Sequence, residues 1–439
     1  MQDSIPADQE RIRWWQEARF GMFVHWGLYT IDGLSCWKMH DMGIPTREYL
    51  ANYEHRFNPT QFDARAIAQL AADAGCKYVV MGTRHHEGYC LWNTATTAFS
   101  SVRMTPKRDF IAEYVQAARE AGLKVGFYYS LLDWRYKAYW DGPRNNPQGW
   151  KKFVDYVHSQ VKELMSLYGK IDILWYDGAW PPGFYDDPRF WGFLATDEQV
   201  AEAWRSKELN AMVRRLQPDI ILNNRSYLPE DFGTPEQTVL PESRPWELCD
   251  TMGDLWSADS RDLNRKTPRK IVARLIKAVA NGGNMLLNVG LKADGGIQGW
   301  QAKIMARIGD WMKKHGEAIY GCSGVPQRPF IGGGLAPWLA TQKDGFVYLL
   351  LVRYPGRAFG IANFHDYRLE SAELLDTGDR LEIVHEATRD IIRGLPKKPP
   401  DSIAAVIKIK ARQKTAAEQN EKRTVALDDP DKEQGLYLN

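Results

Sequence analysis

The run IDILWYDGAW, residues 171–180, decides how the first two thirds of the chain are read. Ile171, Ile173 and Trp175 alternate with Asp172, Leu174 and Tyr176, the two-residue period of a β-strand, and both sets are largely apolar, as in a strand covered on both faces. Asp177 falls on the face of Ile173 and Trp175. An unpaired carboxylate there would cost several kcal/mol or more (~2–7 for a polar group alone), so a charge at that position needs a purpose. Gly178 follows at once, which marks the strand end as a turn.

Working outward, similar runs recur: GMFVHWG (21–27), KYVVMGTRHH (77–86), KVGFYYSL (124–131), DIILNNR (219–225) and NMLLNVG (284–290). Between them lie helical periodicities such as ARAIAQLAADAG, DFIAEYVQAAREAGL, GWKKFVDYVHSQVKELMSLYG and RKIVARLIKAVANGG, several closed by glycine. Strict alternation of strand and helix means a parallel β/α barrel or a doubly wound sheet. An open sheet gathers its binding residues at one crevice, whereas a barrel delivers polar groups from the C-terminal end of nearly every strand. Here His25, His85, His86, Tyr128, Tyr129, Asp177, Arg225 and Asn288 all stand at or just past a strand's last apolar residues. The sequence therefore predicts an α/β fold with a (β/α)8-like barrel over residues 1–324. Short β runs without long helices, among them GFVYLLLVRY and SIAAVIKIKAR, predict a C-terminal antiparallel β-sandwich over 325–412, and the charged stretch 413–439 reads as a polar tail.

Composition narrows the function classes. The 439 residues carry 57 basic and 55 acidic side chains, a net charge of +2 that argues against nucleic acid or a polybasic membrane anchor as partner. No leader pattern and no long apolar run stands out, so the expectation is a cytoplasmic protein, or a periplasmic or secreted one if a signal has been removed. Five dispersed cysteines form no CxxC pair, and His85–His86 are neighbours rather than an i, i+4 pair, so neither metal nor cofactor is expected. A homo-oligomer is compatible with the sequence. Aromatic residues make up 12% of the chain, which suits either a bulky core or a site for ring-shaped neutral ligands.

Neutral donors and acceptors, an indole and a carboxylate on one rim suit a polyhydroxylated, uncharged ligand. Glycoside cleavage adds a demand for two carboxyl groups, one ionised to stabilise or attack the anomeric carbon and one protonated to release the leaving oxygen. Asp177 meets the first. Six stretches stand in order along the chain: RWWQEARFGMFVHWGLYT (13–30), KYVVMGTRHHEGYCLWNT (77–94), KRDFIAEYVQAAREAGLKVGFYYSLLDW (107–134), IDILWYDGAW, PWELCDTMGDLW (245–256) and NGGNMLLNVGLKADGGIQ (281–298). On these the sequence resembles the retaining α-L-fucosidases, a glycoside hydrolase family with an N-terminal barrel and a C-terminal β-sandwich.

The resemblance implies an exo-acting enzyme that releases terminal α-L-fucose from fucosylated glycans by double displacement, with Asp177 as nucleophile. It implies sugar-binding roles for His25, Trp37, His85, His86, Trp175 and Arg225, and for one tyrosine of FYYS, taken as Tyr129. The acid/base is taken as Glu247 of PWELC, with Glu242 and then Glu87 as alternatives. Cys36-Trp37 stands where many relatives have Glu-Trp, and HHEGY replaces HHDGF, which leaves open a related L-sugar such as an α-L-galactoside. A barrel that binds carbohydrate without cleaving it is the reading from another class.

Overall fold

The structure is a computed structural model that describes residues 7–53, 55–180, 196–259, 261–325, 337–361, 367–386 and 389–416. It divides into two units, one of residues 1–278 and 282–313, the other of 279–281 and 314–439, so the division falls earlier than the change of texture near residue 325.

The first unit is built on seven parallel strands: β1 (Phe20–His25), β2 (Tyr78–Arg84), β3 (Lys124–Ser130), β4 (Ile173–Asp177), β5 (Ile221–Leu222), β6 (Glu247–Thr251) and β7 (Asn284–Gly290). They are ordered β5-β4-β3-β2-β1-β7-β6. The gap between β5 and β6 is spanned by irregular chain. Phe232 bridges to Asn223 just past β5, Gly233 bridges to Trp246, and Glu236 bridges to Cys249 of β6, all in the parallel sense. Backbone bonds from Asn224 N to Phe232 O and from Gln237 N to Cys249 O complete the link (3.0 and 2.9 Å). Residues 231–237 thus occupy the eighth position of the ring. Pro235 and Gly233 explain why no regular strand forms there, since one lacks a donor and the other gains little from pairing.

Two strand readings change in the structure. DIILNNR keeps only Ile221 and Leu222 as a regular strand, and ELCDT, a motif but not a strand in the sequence reading, is β6. Helices between strands start where side chains satisfy their free amides. Asp63 accepts from Arg65 N and Ala66 N, Asp109 from Ala112 N, and Asn146 from Gly149 N ahead of Pro147.

Inside the ring, Phe23, Tyr78, Val80, Tyr128, Ile173, Trp175, Ile221, Phe232, Cys249 and Leu286 pack as one cluster with Ile12, Trp15 and Ala18 of α1 (Ala7–Ala18). Burying a side chain of this size contributes about 1.5–3 kcal/mol, so α1 is a stopper that the barrel's N-terminal end needs. Only the C-terminal ends are left to form a site.

The second unit holds antiparallel strands from β8 (Ser323–Gly324) to β15 (Ala405–Gln413). Among them β12 (Tyr367–Leu374) and β10 (Phe346–Leu351) flank β15. Trp338, Leu349, Leu369, Ile392 and Ile407 lie within its core. Of the tail read from residue 413, residues 417–439 lie outside the described residues.

Candidate active site

The inward face of each strand delivers one layer of side chains, and register fixes their depth. Tyr128 of β3 pairs with Trp175 of β4, and Ser130 with Asp177. Phe23 of β1 pairs with Asn288 of β7, and His25 with Gly290. These positions converge on a cavity of about 90 Å³, lined by Phe23, His25, Trp37, His85, His86, Tyr128, Trp175, Asp177, Trp180, Arg225, Glu236 and Trp256.

Asp177 is the fulcrum. Its Oδ2 accepts from Tyr128 Oη at 2.8 Å and its Oδ1 from Arg225 Nη1 at 3.1 Å. Burial pushes its pKa up, but the Arg225 charge, His86 and these two bonds outweigh burial, so the carboxyl stays below its usual range and is ionised at neutral pH. Arg225 also lies over the Trp175 ring, 4.6 Å from its centroid. Gly178 takes a φ of 68°, and a Cβ there would stand 2.8 Å from Ser130 Oγ. The glycine after the carboxylate is thus a requirement of the turn.

The histidines are neutral. Burial pulls His25 and His86 down to about 4 and His85 well below its usual value. His25 Nδ1 meets Asn288 Oδ1 at 2.7 Å, and His86 Nδ1 meets Ser130 Oγ at 2.7 Å. Trp37 stacks on Trp180 at 6.0 Å and 11°, and meets His86 edge-on. Uncharged imidazoles between indole plates offer hydrogen bonds and apolar surface, with little attraction for an anion.

Most of the expected residues meet here: Asp177, His25, Trp37, His85, His86, Trp175 and Arg225 all line the cavity. Two do not. Tyr129 points the other way, its hydroxyl donating to Gln160 Oε1 at 2.8 Å, because strand alternation sends it outward while Tyr128 enters the ring. Glu247 opens β6 opposite Asn284, the first residue of β7, at the N-terminal end of the barrel. It is sealed there by hydrogen bonds from Tyr78 Oη and Trp15 Nε1 and is absent from the cavity lining. The assignment of Glu247 as acid/base is therefore corrected: a carboxyl at the closed end cannot reach a sugar at the open one. Glu242 lies against Gly233 and 3.8 Å from Arg244, and Glu87 is buried behind His85.

The second carboxyl of the cavity is Glu236, which the sequence reading missed. Its Oε2 accepts from Arg225 Nη2 at 2.8 Å, and its Oε1 from Trp256 Nε1 at 3.2 Å. One guanidinium therefore holds Asp177 and Glu236 on two of its nitrogens, which places both carboxyl groups on the same side of the cavity, as a two-carboxylate mechanism needs. Trp256 and Trp180, to which the sequence assigned no role, line the cavity as well. Among the described residues no His, Cys, Asp and Glu group could hold a metal ion, and the five cysteines are buried.

A β/α barrel with two carboxyl groups and a set of neutral hydrogen-bonding side chains at its open end defines a barrel glycosidase. Comparison with known proteins names the family. The alpha-L-fucosidase family profile matches residues 2–317, and the chain belongs to that family. The rat tissue alpha-L-fucosidase is 27% identical over 421 residues, covering 88% of this chain and 86% of the relative. Alpha-L-fucosidase isoenzyme 1 from Paenibacillus thiaminolyticus superposes with a TM-score of 0.80 at 33% identity, over 92% of this chain and all (100%) of that one. A GH29 alpha-L-fucosidase from Bacteroides thetaiotaomicron, solved as a trapped covalent intermediate with 2-fluoro-fucosyl fluoride in a glutamate-to-glutamine mutant, superposes with a TM-score of 0.80 at 26% identity, covering 92% and 96%.

Proposed function

We propose that Asp177 and Glu236 are the nucleophile and the acid/base of an exo-acting, retaining α-L-fucosidase that acts on fucosylated glycans. The observation that carries this reading is the Arg225 clamp, which holds both carboxyl groups at the open end of the barrel beside neutral histidines. In the first step Asp177 attacks the anomeric carbon, the glycosidic C–O bond breaks, and Glu236 gives its proton to the departing oxygen. In the second, Glu236 takes a proton from water, which displaces Asp177 and frees the sugar with its configuration retained. Tyr128 and Arg225 hold the nucleophile's two oxygens in place, so little reorganisation is needed as charge leaves it. The covalent intermediate trapped in the Bacteroides relative supports the two-step route.

The test is hydrolysis of aryl α-L-fucosides. Asp177→Ala should lose activity by about a thousandfold or more and regain turnover with azide, giving the inverted glycosyl azide. Glu236→Ala should be slowed most on poor leaving groups and form the azide with retention. Full activity in either variant refutes the assignment.

A further inference from the structure

Two buried polar atoms beside the cavity have no hydrogen-bond partner, His85 Nδ1 and Glu87 Oε2, and they face each other at 3.9 Å. Unpartnered atoms of this kind cost about 1–3 kcal/mol each, and here a movement of about 1 Å would satisfy both. We propose that Glu87 is a positioning residue that sets the tautomer of His85: its carboxylic O–H donates to Nδ1, so that Nε2 keeps the ring proton and donates to a hydroxyl of the sugar. The inference rests on the cavity receiving a sugar, as proposed above.

The donor inventory of the cavity gives this a use. Asn288 spends its amide N–H on Trp256 O at 2.6 Å, so its oxygen faces His25 and Nδ1 of His25 must be the donor. His25 therefore offers only a lone pair from Nε2. Asp177 is an acceptor as well. A sugar hydroxyl needs a donor for its own lone pairs, and His85 in the Nε2–H form supplies one beside the acceptor on His25, whose ring centroid is 5.7 Å away.

For this the Glu87 carboxyl must be protonated at working pH, and its surroundings make it so. Burial raises it to about 8; its own backbone amide, Arg135 and Arg84 pull it down, while Asp133 pushes it up. The groups facing it from the neighbouring segments are Tyr29, Cys36 and Tyr49, all held neutral by burial with Glu87 adding to the effect, and His85 itself. Above about pH 8 the carboxylate becomes an acceptor, Nδ1 takes the ring proton, and Nε2 turns from donor to acceptor. Sugar binding then loses a donor without any change in the catalytic pair.

The experiment measures kcat and KM for an aryl α-L-fucoside between pH 6 and 9.5 in wild type, Glu87→Gln and Glu87→Leu. Wild type should show KM rising about tenfold above pH 8, the effect of one lost hydrogen bond, with kcat changing less. Glu87→Gln, whose amide N–H remains a donor at every pH, should keep the neutral-pH KM within about threefold and lose the alkaline rise. Glu87→Leu should raise KM about tenfold throughout. Persistence of the alkaline rise in Glu87→Gln, or an unchanged KM in Glu87→Leu, overturns the proposal. The ring ¹⁵N shifts of His85, identified by their loss in His85→Gln, report the tautomer without turnover. A tautomer that does not exchange as pH passes 8 refutes the inference even if no fucoside is hydrolysed, a result that would count separately against the function proposed above.

Discussion

Tyr128 and Tyr129 are adjacent and chemically identical, yet only one can touch the reacting centre. Tyr128→Phe removes a charge-assisted bond to Asp177 worth about 1.5–3 kcal/mol, so kcat should fall about ten- to a hundredfold. Tyr129→Phe should leave kcat/KM unaltered and lower stability by about 1 kcal/mol, because only Gln160 loses a partner. Steady-state kinetics with urea denaturation separates the two, and a kinetic defect in the second variant would contradict the inward and outward assignment. The parity was legible in the sequence: Trp175 and Asp177 share a face, but which tyrosine of FYYS matches it depends on the register between β3 and β4, a long-range pairing that no local pattern contains. Gly178 was legible for the same local reason that makes it necessary, and Gly178→Ala should cut activity by displacing Asp177 from its partners.

At the level of elements, the six strands seen in the sequence are those with β-branched or aromatic alternation, and all six are present. The remaining two barrel positions lay between residues 226 and 283. β6 is buried throughout but carries Glu247, Asp250 and Thr251, which hide its period, and 231–237 is broken by glycine and proline. Glu236 was missed because it rides on that broken segment. A count of strands would have pointed to the segment, since a closed ring needs eight members and two were not yet placed. Helix packing also sets limits. A Cβ on Gly309, inside the helix Gly299–His315, would lie 2.2 Å from the carbonyl oxygen of Asp73. Gly309→Ala should therefore lower the urea midpoint by the equivalent of about 1–3 kcal/mol, with activity per folded molecule retained.

For the whole molecule, buried titratable groups make stability depend on pH in both directions. His25 and His86, lowered from 6.5 to about 4, stay neutral in the folded state while the unfolded chain takes up protons, so stability is lost as pH falls from 6.5 towards 4. Glu247, raised by burial from 4.5 to about 7, holds a proton that the unfolded chain releases, so its contribution is present below 4.5 and is lost as pH rises to 7. Such shifts correspond to roughly 3 kcal/mol each, and Glu87 extends the alkaline loss to about 8. The urea midpoint should thus peak in mildly acid buffer. Glu247→Gln removes a loss that grows with pH, so between pH 5 and 7 its urea midpoint should rise relative to that of the wild type, and it should still hydrolyse fucosides; an unchanged slope would show that this carboxyl titrates normally. The two carboxyl groups proposed as catalytic also differ in how the backbone carries them. Asp177 ends a strand paired residue by residue with β3, while Glu236 hangs on chain tethered to its flanks by isolated bridges. Over evolutionary time the first address tolerates no gain or loss of residues, whereas the second absorbs them, so related chains will align at the nucleophile and drift out of step at its companion.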